Sequence, residues 1–182
     1  MNHDFPLRPA READIAALEE LITLSVRGLM TSCYTTEQLD AALGPVFGVD
    51  RHLIRDGTYF VAEHGGEIAG CGGWSKRKAV FGGDRDRPGG DELLDPAQDA
   101  ARIRAFFVHP VWTRRGIGRS ILEACESALQ SAGFKNAELV GTLTGEPLYA
   151  SFGYAVVERC EVLLSNGLML PVVRMTKSFA PA

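Results

Sequence analysis

The chain lacks the residues and patterns that mark several classes of protein. Its four cysteines and four histidines show neither a Cys-x-x-Cys pair nor metal-ligand spacing. The cysteines are far apart, so we expect reduced thiols, no disulfide framework and no metal. No apolar run approaches the length of a membrane span, and the first residues lack a signal-peptide pattern. These absences predict a cytoplasmic location without membrane attachment.

The net charge of the chain is also low. The formal charge is −4 at pH 7, so nothing indicates a general nucleic-acid binder. A hydrophobic content of 46% over 182 residues is enough for one well-buried core. The sequence contains no repeat and no linker long enough to divide it, which predicts a single domain over residues 1–182.

Apolar periodicity predicts alternating strands and helices. Strands are expected at residues 6–9, 58–63, 67–75, 101–108, 136–142, 155–164 and 168–177. Helices are expected at residues 10–28, from Thr35 to Gly44-Pro45, after Gly116, and at residues 145–152. The sequences His64-Gly65-Gly66 and Asn166-Gly167 are typical of hairpin turns. This alternation predicts an α/β fold with one mixed layer of strands.

A glycine-rich turn between a predicted strand and a predicted helix is the strongest chemical signal. It consists of Arg114, Arg115, Gly116, Ile117, Gly118, Arg119 and Ser120. Such a turn exposes backbone N–H groups at the positive end of the helix dipole, and glycines without a Cβ let a phosphate approach closely. Three arginines there oppose the dipole, which favours an anion partner over a turn that binds nothing. No Walker loop is present, and the dinucleotide fingerprint fails because Ile121 replaces its third glycine.

Two segments of the chain resemble the GCN5-related N-acetyltransferase (GNAT) family. The stretch from Phe106 to Gly118 is similar to the family's acetyl-coenzyme A signature, and residues 148–154 resemble its Leu-Tyr-x-x-x-Gly-Phe element. The resemblance implies an acyl-CoA N-acyltransferase fold, a single mixed, mostly antiparallel sheet flanked by helices. It also implies direct transfer of an acetyl group from acetyl-CoA to a primary amine of a small molecule or peptide. No nucleic-acid or membrane partner is implied, and a homodimer stays open.

The resemblance also assigns roles to particular residues. The turn from Arg114 to Ser120 would hold the pyrophosphate of the coenzyme. The backbone of Phe106, Phe107 and Val108 would pair with the pantetheine arm, and the N–H of Val108 would polarise the thioester carbonyl. We expect the side chains of Phe106 and Phe107 to pack in the core.

Near the carboxyl end of the fifth strand, two further roles follow from the family. Tyr149 would donate a proton or hydrogen bond to the departing thiolate, although it also fits a core tyrosine on a short amphipathic helix. Thr142 and Thr144 stand where the family has an asparagine that contacts the coenzyme, so Thr142 is included in the binding site.

The general base is less well defined by the sequence. We assign the role to Glu138 on the fifth strand, and Glu63, Glu92, Asp99 or a water chain are the alternatives. Arg102 and Arg104 occupy outward positions on the fourth strand. If they face the acceptor cleft, they favour a substrate that carries a carboxylate or phosphate. Otherwise, they pair with acidic residues of the insertion that precedes their strand.

That insertion, at about residues 76–100, is rich in glycine, aspartate and arginine. A connection of this length inside a compact domain is usually functional or mobile. It is therefore either a solvated insertion or a lid beside the acceptor pocket.

Three other functions stay open. The pyrophosphate site does not read the acyl chain, so another acyl group could be transferred. The domain could instead be a non-catalytic sensor that binds acyl-CoA and controls a partner. A nucleotide-binding module would be stabilised by ATP or NAD and not by coenzyme A.

Overall fold

The computed structural model of the chain describes residues 4–78 and 92–179. In this part of the chain, one sheet is formed by strands β1 (Leu7–Pro9), β2 (Tyr59–His64), β3 (Glu67–Ser75), β4 (Ala101–Val108), β5 (Asn136–Thr142), β6 (Ala155–Leu163) and β7 (Met169–Ser178). The α-helices are α1 (Ile15–Leu29), α2 (Thr36–Ala42), α3 (Arg51–Arg55), α4 (Ile117–Ser131) and α5 (Glu146–Ser151).

The strands lie in the order β1-β2-β3-β4-β5-β7-β6. All neighbours are antiparallel except β4 and β5, which are parallel. The prediction of a single mixed, mostly antiparallel sheet flanked by helices is confirmed. The one parallel pair divides the sheet into a β1–β4 part and a β5–β7 part.

A gap opens between these two parts. β4 and β5 pair only where Ala101 lies opposite Ala137 and Arg102 lies opposite Glu138. Beyond that point β4 stays with β3 as far as Val108, while β5 stays with β7. In the described structure the carboxyl halves of β4 and β5 therefore do not pair with each other.

A bulge in β4 changes which side chains face each side of the sheet. The register between β3 and β4 shifts near Ala105, which has a φ of 56°, a left-handed conformation that is uncommon for a non-glycine residue. The Tyr59 hydroxyl donates to the Ala105 carbonyl at 3.4 Å. The extra residue shifts the alternation by one, so Phe107 faces the same side as Arg104.

Helices cover both faces of the sheet, and each face has its own apolar cluster. The α1 face, covered by α1, α2 and α3, buries a set that includes Leu18, Ile22, Leu39, Leu53, Tyr59 and Phe107. The α4 face, covered by α4 and α5, buries a set that includes Trp74, Ile103, Ile117, Ile121, Leu122 and Tyr149. The gap between β4 and β5 connects these two sides.

Small residues in β3 let α4 lie close against the sheet. A Cβ on Gly70 would lie 2.6 Å from Ile117, and a Cβ on Gly72 would lie 2.7 Å from the Phe106 ring and 2.8 Å from Ile121. All three distances are too short for real carbon contacts. The glycines of β3 therefore determine how closely the start of α4 packs against the sheet, beside the end of β4.

Every predicted strand and helix is present, and the largest boundary difference is in α1. The sequence predicts this helix from residue 10, whereas α1 begins at Ile15 after a short 3-10 turn. The Asp14 carboxylate accepts from the Arg11 N–H and from the Arg8 guanidinium at 2.7 Å. These bonds hold residues 11–14 in a tighter turn than an α-helix.

Helix α3 is not among the predicted elements. Its five residues are too few to show apolar periodicity, which is why the prediction misses it. The Asp50 carboxylate caps its first turn and accepts from the N–H groups of His52 and Leu53. An aspartate before a short apolar stretch is the signal that the sequence does offer.

Both predicted hairpins are present, with different turns. Gly65 and Gly66 have φ angles of 59° and 88°, as a two-residue type I′ turn requires. At the other hairpin only Gly167 has a positive φ, of 81°, and Leu164 N donates to Leu168 O. Asn166-Gly167 therefore belongs to a three-residue loop.

The insertion is described only at its ends. Arg77 and Leu93 form an antiparallel bridge there. The central part of this insertion, residues 79–91, lies outside the described residues, and so does any test of whether it is a solvated segment or a lid. Among the helices that the structure describes, none is long and apolar enough to cross a membrane.

Candidate active site

The glycine-rich turn leads directly into α4. Gly116 is the N-cap with a φ of 83°, and Arg114 has a φ of 62°, so two left-handed residues shape the turn. The first turn of α4 contains no acidic side chain, and Arg114, Arg115 and Arg119 are exposed around it. Backbone N–H groups of a first helical turn have no partner within the helix. The turn therefore presents N–H groups and positive charge to solvent, as an anion site requires.

Neighbouring residues hold this turn in place. A Cβ on Gly118 would lie 3.2 Å from Leu148 of α5, so a small residue is needed where α4 and α5 meet. The Arg119 guanidinium lies 5.0 Å from the centre of the Phe152 ring and 3.8 Å from the Glu123 carboxylate. Ser120 N donates to Gly116 O, so that N–H is used within the helix.

The end of β4 presents its backbone toward α1. His109 N donates to Ala69 O of β3 at 2.9 Å, whereas Val108 N donates at 3.3 Å to the hydroxyl of Ser25 on α1. Ser25 is 2% exposed. The N–H predicted to polarise a thioester carbonyl is thus directed away from β3 and already has a weak internal acceptor. The predicted role requires Ser25 to release it.

A cavity of about 290 Å³ occupies the gap between β4 and β5 on the α1 face. Its lining consists of Met30, Val46, Phe47, Gly48, residues 102–107 of β4, residues 138–142 of β5, Tyr149, Val172 and Arg174. Five of the predicted site residues meet here: Phe106, Phe107, Glu138, Thr142 and Tyr149. Val108 and the α4 turn are not part of this lining. The predicted site thus has two parts, the turn and the cavity.

Tyr149 is held in a tight aromatic setting at the edge of the cavity. Its ring centre lies 6.0 Å from those of Phe106 and Tyr154, and the residue is 7% exposed. A Cβ on Gly141 or on Gly145 would lie 3.2 Å from the Tyr149 ring, so both glycines make room for it. Burial, with a smaller contribution from Cys125, raises the pKa of Tyr149. The hydroxyl therefore stays protonated at neutral pH and can donate a hydrogen bond.

The phenylalanines follow the predicted packing. Phe107 meets Phe47 edge to face on the α1 face, with ring centres 6.2 Å apart. Phe106 packs against the cluster of the α4 face beside Tyr149. Their side chains therefore belong to the packing, as expected, and only their backbone is offered to a ligand.

Comparison with known proteins identifies the family. The profile of the acetyltransferase (GNAT) domain matches residues 55–156, more than half of the chain. The chain belongs to the GNAT family. No curated protein sequence matches it.

Solved structures share the fold at low sequence identity. A GCN5-related N-acetyltransferase from Rhodopseudomonas palustris is 21% identical with a TM-score of 0.73, and the match covers 98% of each chain. PaiA N-acetyltransferase from Thermoplasma acidophilum, solved with coenzyme A, is 13% identical with a TM-score of 0.67 over 96% of this chain and 99% of that one. A GNAT acetyltransferase from Brucella melitensis, solved with acetyl-CoA, is 16% identical with a TM-score of 0.57 over 100% and 91%.

The residues of this GNAT chain fit coenzyme A on two observations. The α4 turn offers left-handed backbone, exposed arginines and no nearby acidic residue in the first helical turn. Thr144 Oγ1, between β5 and α5, is buried without a hydrogen-bond partner in the described structure. By contrast, Thr142 Oγ1 accepts from Gly145 N at 3.1 Å, so it is already used in the turn after β5.

Among the described residues that line the cavity, Glu138 is the only one with a carboxylate. Its Oε1 lies 3.3 Å from Nη2 of Arg102, the residue opposite it in the parallel pair. The other base candidates lie elsewhere. Glu63 pairs with Arg8, Glu92 with Lys78, and the Asp99 carboxylate accepts from Asp95 N.

Arg102 and Arg104 both line the cavity. Their ion-pair partners are Glu138 for Arg102 and Asp50, at 3.0 Å, for Arg104. Burial lowers the pKa of Arg104, and Asp50 opposes that effect. The guanidinium nevertheless stays charged at any physiological pH.

Three residues of the site are missed by sequence reasoning. Ser25 takes a buried position on the apolar face of α1, and a lone hydroxyl at that spacing is a detectable signal. Asp50 was detectable only as a helix cap. Tyr34 accepts from Leu143 N at 2.9 Å and donates to Pro171 O at 2.8 Å, so it fixes the end of β5. No pattern in the sequence indicates that long-range contact.

In the described parts of the chain, no three His, Cys, Asp or Glu side chains are grouped to hold a metal ion. The cysteines are free, with Cys71 and Cys125 buried. Burial raises the pKa of Cys71 to about 12, so this thiol stays protonated and unreactive.

Proposed function

We propose that this GNAT protein transfers an acetyl group from acetyl-CoA directly to a primary amine. The observation that carries the proposal is the arrangement of the α4 turn and the cavity on either side of the end of β4. The α4 turn suits a pyrophosphate. The cavity is a partly enclosed space that contains a protonated tyrosine, Tyr149, and the carboxylate of Glu138. Residues 1–182 would act as one domain.

Acetyl-CoA, when bound, supplies the acetyl group as an activated thioester. In the overall reaction the amine nitrogen forms a C–N bond to the acetyl carbon while the C–S bond breaks. A protonated amine loses two protons, of which one goes to solvent and one ends on the departing sulfur. The protein must therefore hold the donor, accept a proton from the amine and provide one near the sulfur.

For the donor, we assign the backbone and arginines of the turn to the pyrophosphate. The residues involved are Arg114, Arg115, Gly116, Ile117, Gly118, Arg119 and Ser120. The backbone of Phe106, Phe107 and Val108 would bind the pantetheine arm, since the end of β4 has no strand partner on the β5 side within the described residues. Thr142 and the unpartnered hydroxyl of Thr144 border that path.

For the proton transfers, we assign Glu138 and Tyr149. Glu138 would accept the amine proton, and Arg102 at 3.3 Å would hold its carboxylate in place. The Tyr149 hydroxyl, kept protonated by burial, would donate to the sulfur. Both residues line the same cavity.

The direct test is a thiol-release assay with acetyl-CoA and a panel of primary amines, with the N-acetylated product identified by mass spectrometry. We expect free coenzyme A and acetylated amine in equal amounts. Tight binding of coenzyme A without turnover on any amine would contradict the proposal and favour an acyl-CoA sensor. Faster turnover with propionyl-CoA or a longer acyl-CoA would correct the acyl group. Thermal stabilisation by ATP or NAD, but not by coenzyme A, would overturn the donor assignment.

A further inference from the structure

One arginine in the cavity has an unused bidentate edge. Arg104 Nη1 donates to Asp50 at 3.0 Å, while its Nε and Nη2 are buried and have no hydrogen-bond partner among the described residues. The side chain is only 10% exposed. A buried charged donor without a partner costs more than a neutral one, so such atoms mark a place for a bound ligand, ion or ordered water.

The same edge is filled by a carboxylate elsewhere in the molecule. Arg77 donates from both Nε and Nη2 to the two oxygens of Asp56, each at 2.7 Å, and this contact lowers the pKa of that carboxyl. This fork-to-fork geometry is specific to planar oxyanions. Arg104 presents an equivalent edge, which no side chain or backbone group of the described residues occupies.

Asp50 fixes which edge of Arg104 remains open. Its Oδ1 accepts from the N–H groups of His52 and Leu53, and its Oδ2 accepts from Arg104 Nη1. Asp50 is 2% exposed, and the two N–H groups of α3 hold its carboxylate in place. The guanidinium is therefore held by its Nη1 side, which leaves its Nε–Nη2 side for a ligand.

The net positive charge of the cavity lining also favours an anionic ligand. Arg102, Arg104 and Arg174 contribute three positive charges to the lining, and Glu138 contributes one negative charge. Arg102 Nε is also buried and lacks a hydrogen-bond partner in the part of the chain that the structure describes. Outside the lining, Asp50 and Glu158 pair with Arg104 and Arg174. An anionic group of the substrate would therefore enter a site that already holds two incompletely bonded guanidinium groups.

Building on the proposed acetyl transfer, we propose that the acceptor is an amine that also carries a carboxylate, bound by the Nε–Nη2 edge of Arg104. An amino acid is the chemical class that fits. The apolar part of the lining, Met30, Phe47, Val140 and Val172, contacts its carbon chain. Its amine lies toward the part of the cavity that contains Glu138 and Tyr149.

The first test uses the unmodified protein and matched amines. Free amino acids such as glycine, β-alanine and γ-aminobutyrate are compared with their carboxamides and with aminoalkyl phosphonates. We expect kcat/KM to be about 10 to 100 times higher for the best carboxylate than for its amide. A preference for the phosphonate would support an anion site at Arg104 but contradict the assignment of a carboxylate as its ligand. Equal or better turnover of amides and simple alkylamines would overturn the acceptor assignment while leaving acetyl transfer intact.

The second test changes Arg104. Arg104→Lys keeps the charge and loses the planar fork, and Arg104→Gln loses both. We expect KM for the carboxylate to rise about tenfold or more in both variants, with kcat/KM for the matched amide changed less than about threefold. The control is Arg27→Gln, which removes an exposed arginine paired with Asp40 on the surface. An unchanged KM for the carboxylate in the folded lysine variant would contradict the proposal.

Arg104→Gln leaves Asp50 buried without its partner and could unfold the protein. The double variant Arg104→Met with Asp50→Asn removes both charges, so no unpaired charge stays buried. It therefore tests the role of Arg104 in carboxylate binding even if the single variant does not fold. A binding readout independent of turnover is calorimetric titration of the N-acetylated amino acid, and of its amide, into the protein with coenzyme A. We expect binding of the acid alone, and its loss in the double variant. Equal binding of acid and amide to the unmodified protein would count against the carboxylate site.

Discussion

The α4 turn and the cavity between β4 and β5 both present arginines to a ligand, but they do so under opposite conditions. Arg119 in the turn is 58% exposed, whereas Arg104 in the cavity is 10% exposed. Exposed charges are screened by salt and contribute little individually, while a buried guanidinium without a full set of partners is costly. The turn therefore depends mainly on its backbone shape, and the cavity depends on individual side chains.

This difference extends to how each part is assembled. The turn is one continuous stretch, and Gly116 and Arg114 shape it by their own backbone conformation. The cavity combines the loop before α3 with β4, β5 and β7. Substitutions in the turn should change donor binding alone, whereas substitutions of Arg104, Glu138 or Tyr149 in the cavity should change the acceptor or the chemistry and leave donor binding intact.

The largest expected effect is that of Gly116→Asp. A side chain at a φ of 83° is strained, and a negative charge there opposes the phosphates, so we expect coenzyme A binding to be abolished, a loss of about 100-fold or more. Calorimetry with coenzyme A measures this. Gly167→Asp is the matched control, since Gly167 has a φ of 81° in a distant hairpin. Retained affinity in Gly116→Asp, or equal losses in both variants, would refute the pyrophosphate assignment.

Glu138→Gln tests the cavity side next. If Glu138 accepts the amine proton, kcat should fall about 100-fold while the affinity for coenzyme A stays constant. Glu158→Gln, which breaks an exposed pair with Arg174, serves as the control. A kcat within about threefold of that of the unmodified protein would mean that another group or a water chain takes the proton.

Tyr149→Phe lies between the two parts of the site. We expect a fall in turnover of about tenfold or more with coenzyme A affinity nearly unchanged, because the ring packing survives and only the hydroxyl is lost. Tyr154→Phe removes a hydroxyl from the same aromatic cluster, outside the cavity lining, and should leave turnover unchanged. An unaltered kcat in Tyr149→Phe would remove Tyr149 from the mechanism.

The smallest expected effect is that of Arg119→Gln. An exposed arginine near the phosphates should contribute about two- to fivefold to coenzyme A affinity at low salt, and less as salt is added. Calorimetry at two ionic strengths measures this difference. A large, salt-independent loss would show that the turn uses individual side chains as the cavity does, and the contrast between the two parts would fail.

Most of the fold was predictable because its signals are local. Apolar periodicity places α1 and α4, and Gly65-Gly66 specifies the turn between β2 and β3. Helix α3 escaped prediction because its five residues are fewer than two helical turns. The bulge at Ala105 also escaped, because alanine carries no preference for a left-handed conformation.

The candidate site was predictable in the turn and only partly in the cavity. Tyr149 and Glu138 were identified, but their meeting in one cavity follows from the gap between β4 and β5. The partner of Arg104 is Asp50, more than fifty positions away in the sequence. No spacing rule connects such residues, since the contact depends on how α3 packs against the sheet.

The sequence by itself determined the family, the order of the elements and the turn that begins α4, because each depends on residues close together in the chain. Only the tertiary structure decided where Arg102 and Arg104 point, which acid lines the cavity, and which edge of Arg104 is left open. The physical reason is that burial and ion pairing depend on which distant segments meet. The shape of a backbone turn, by contrast, depends only on the residues of the turn itself.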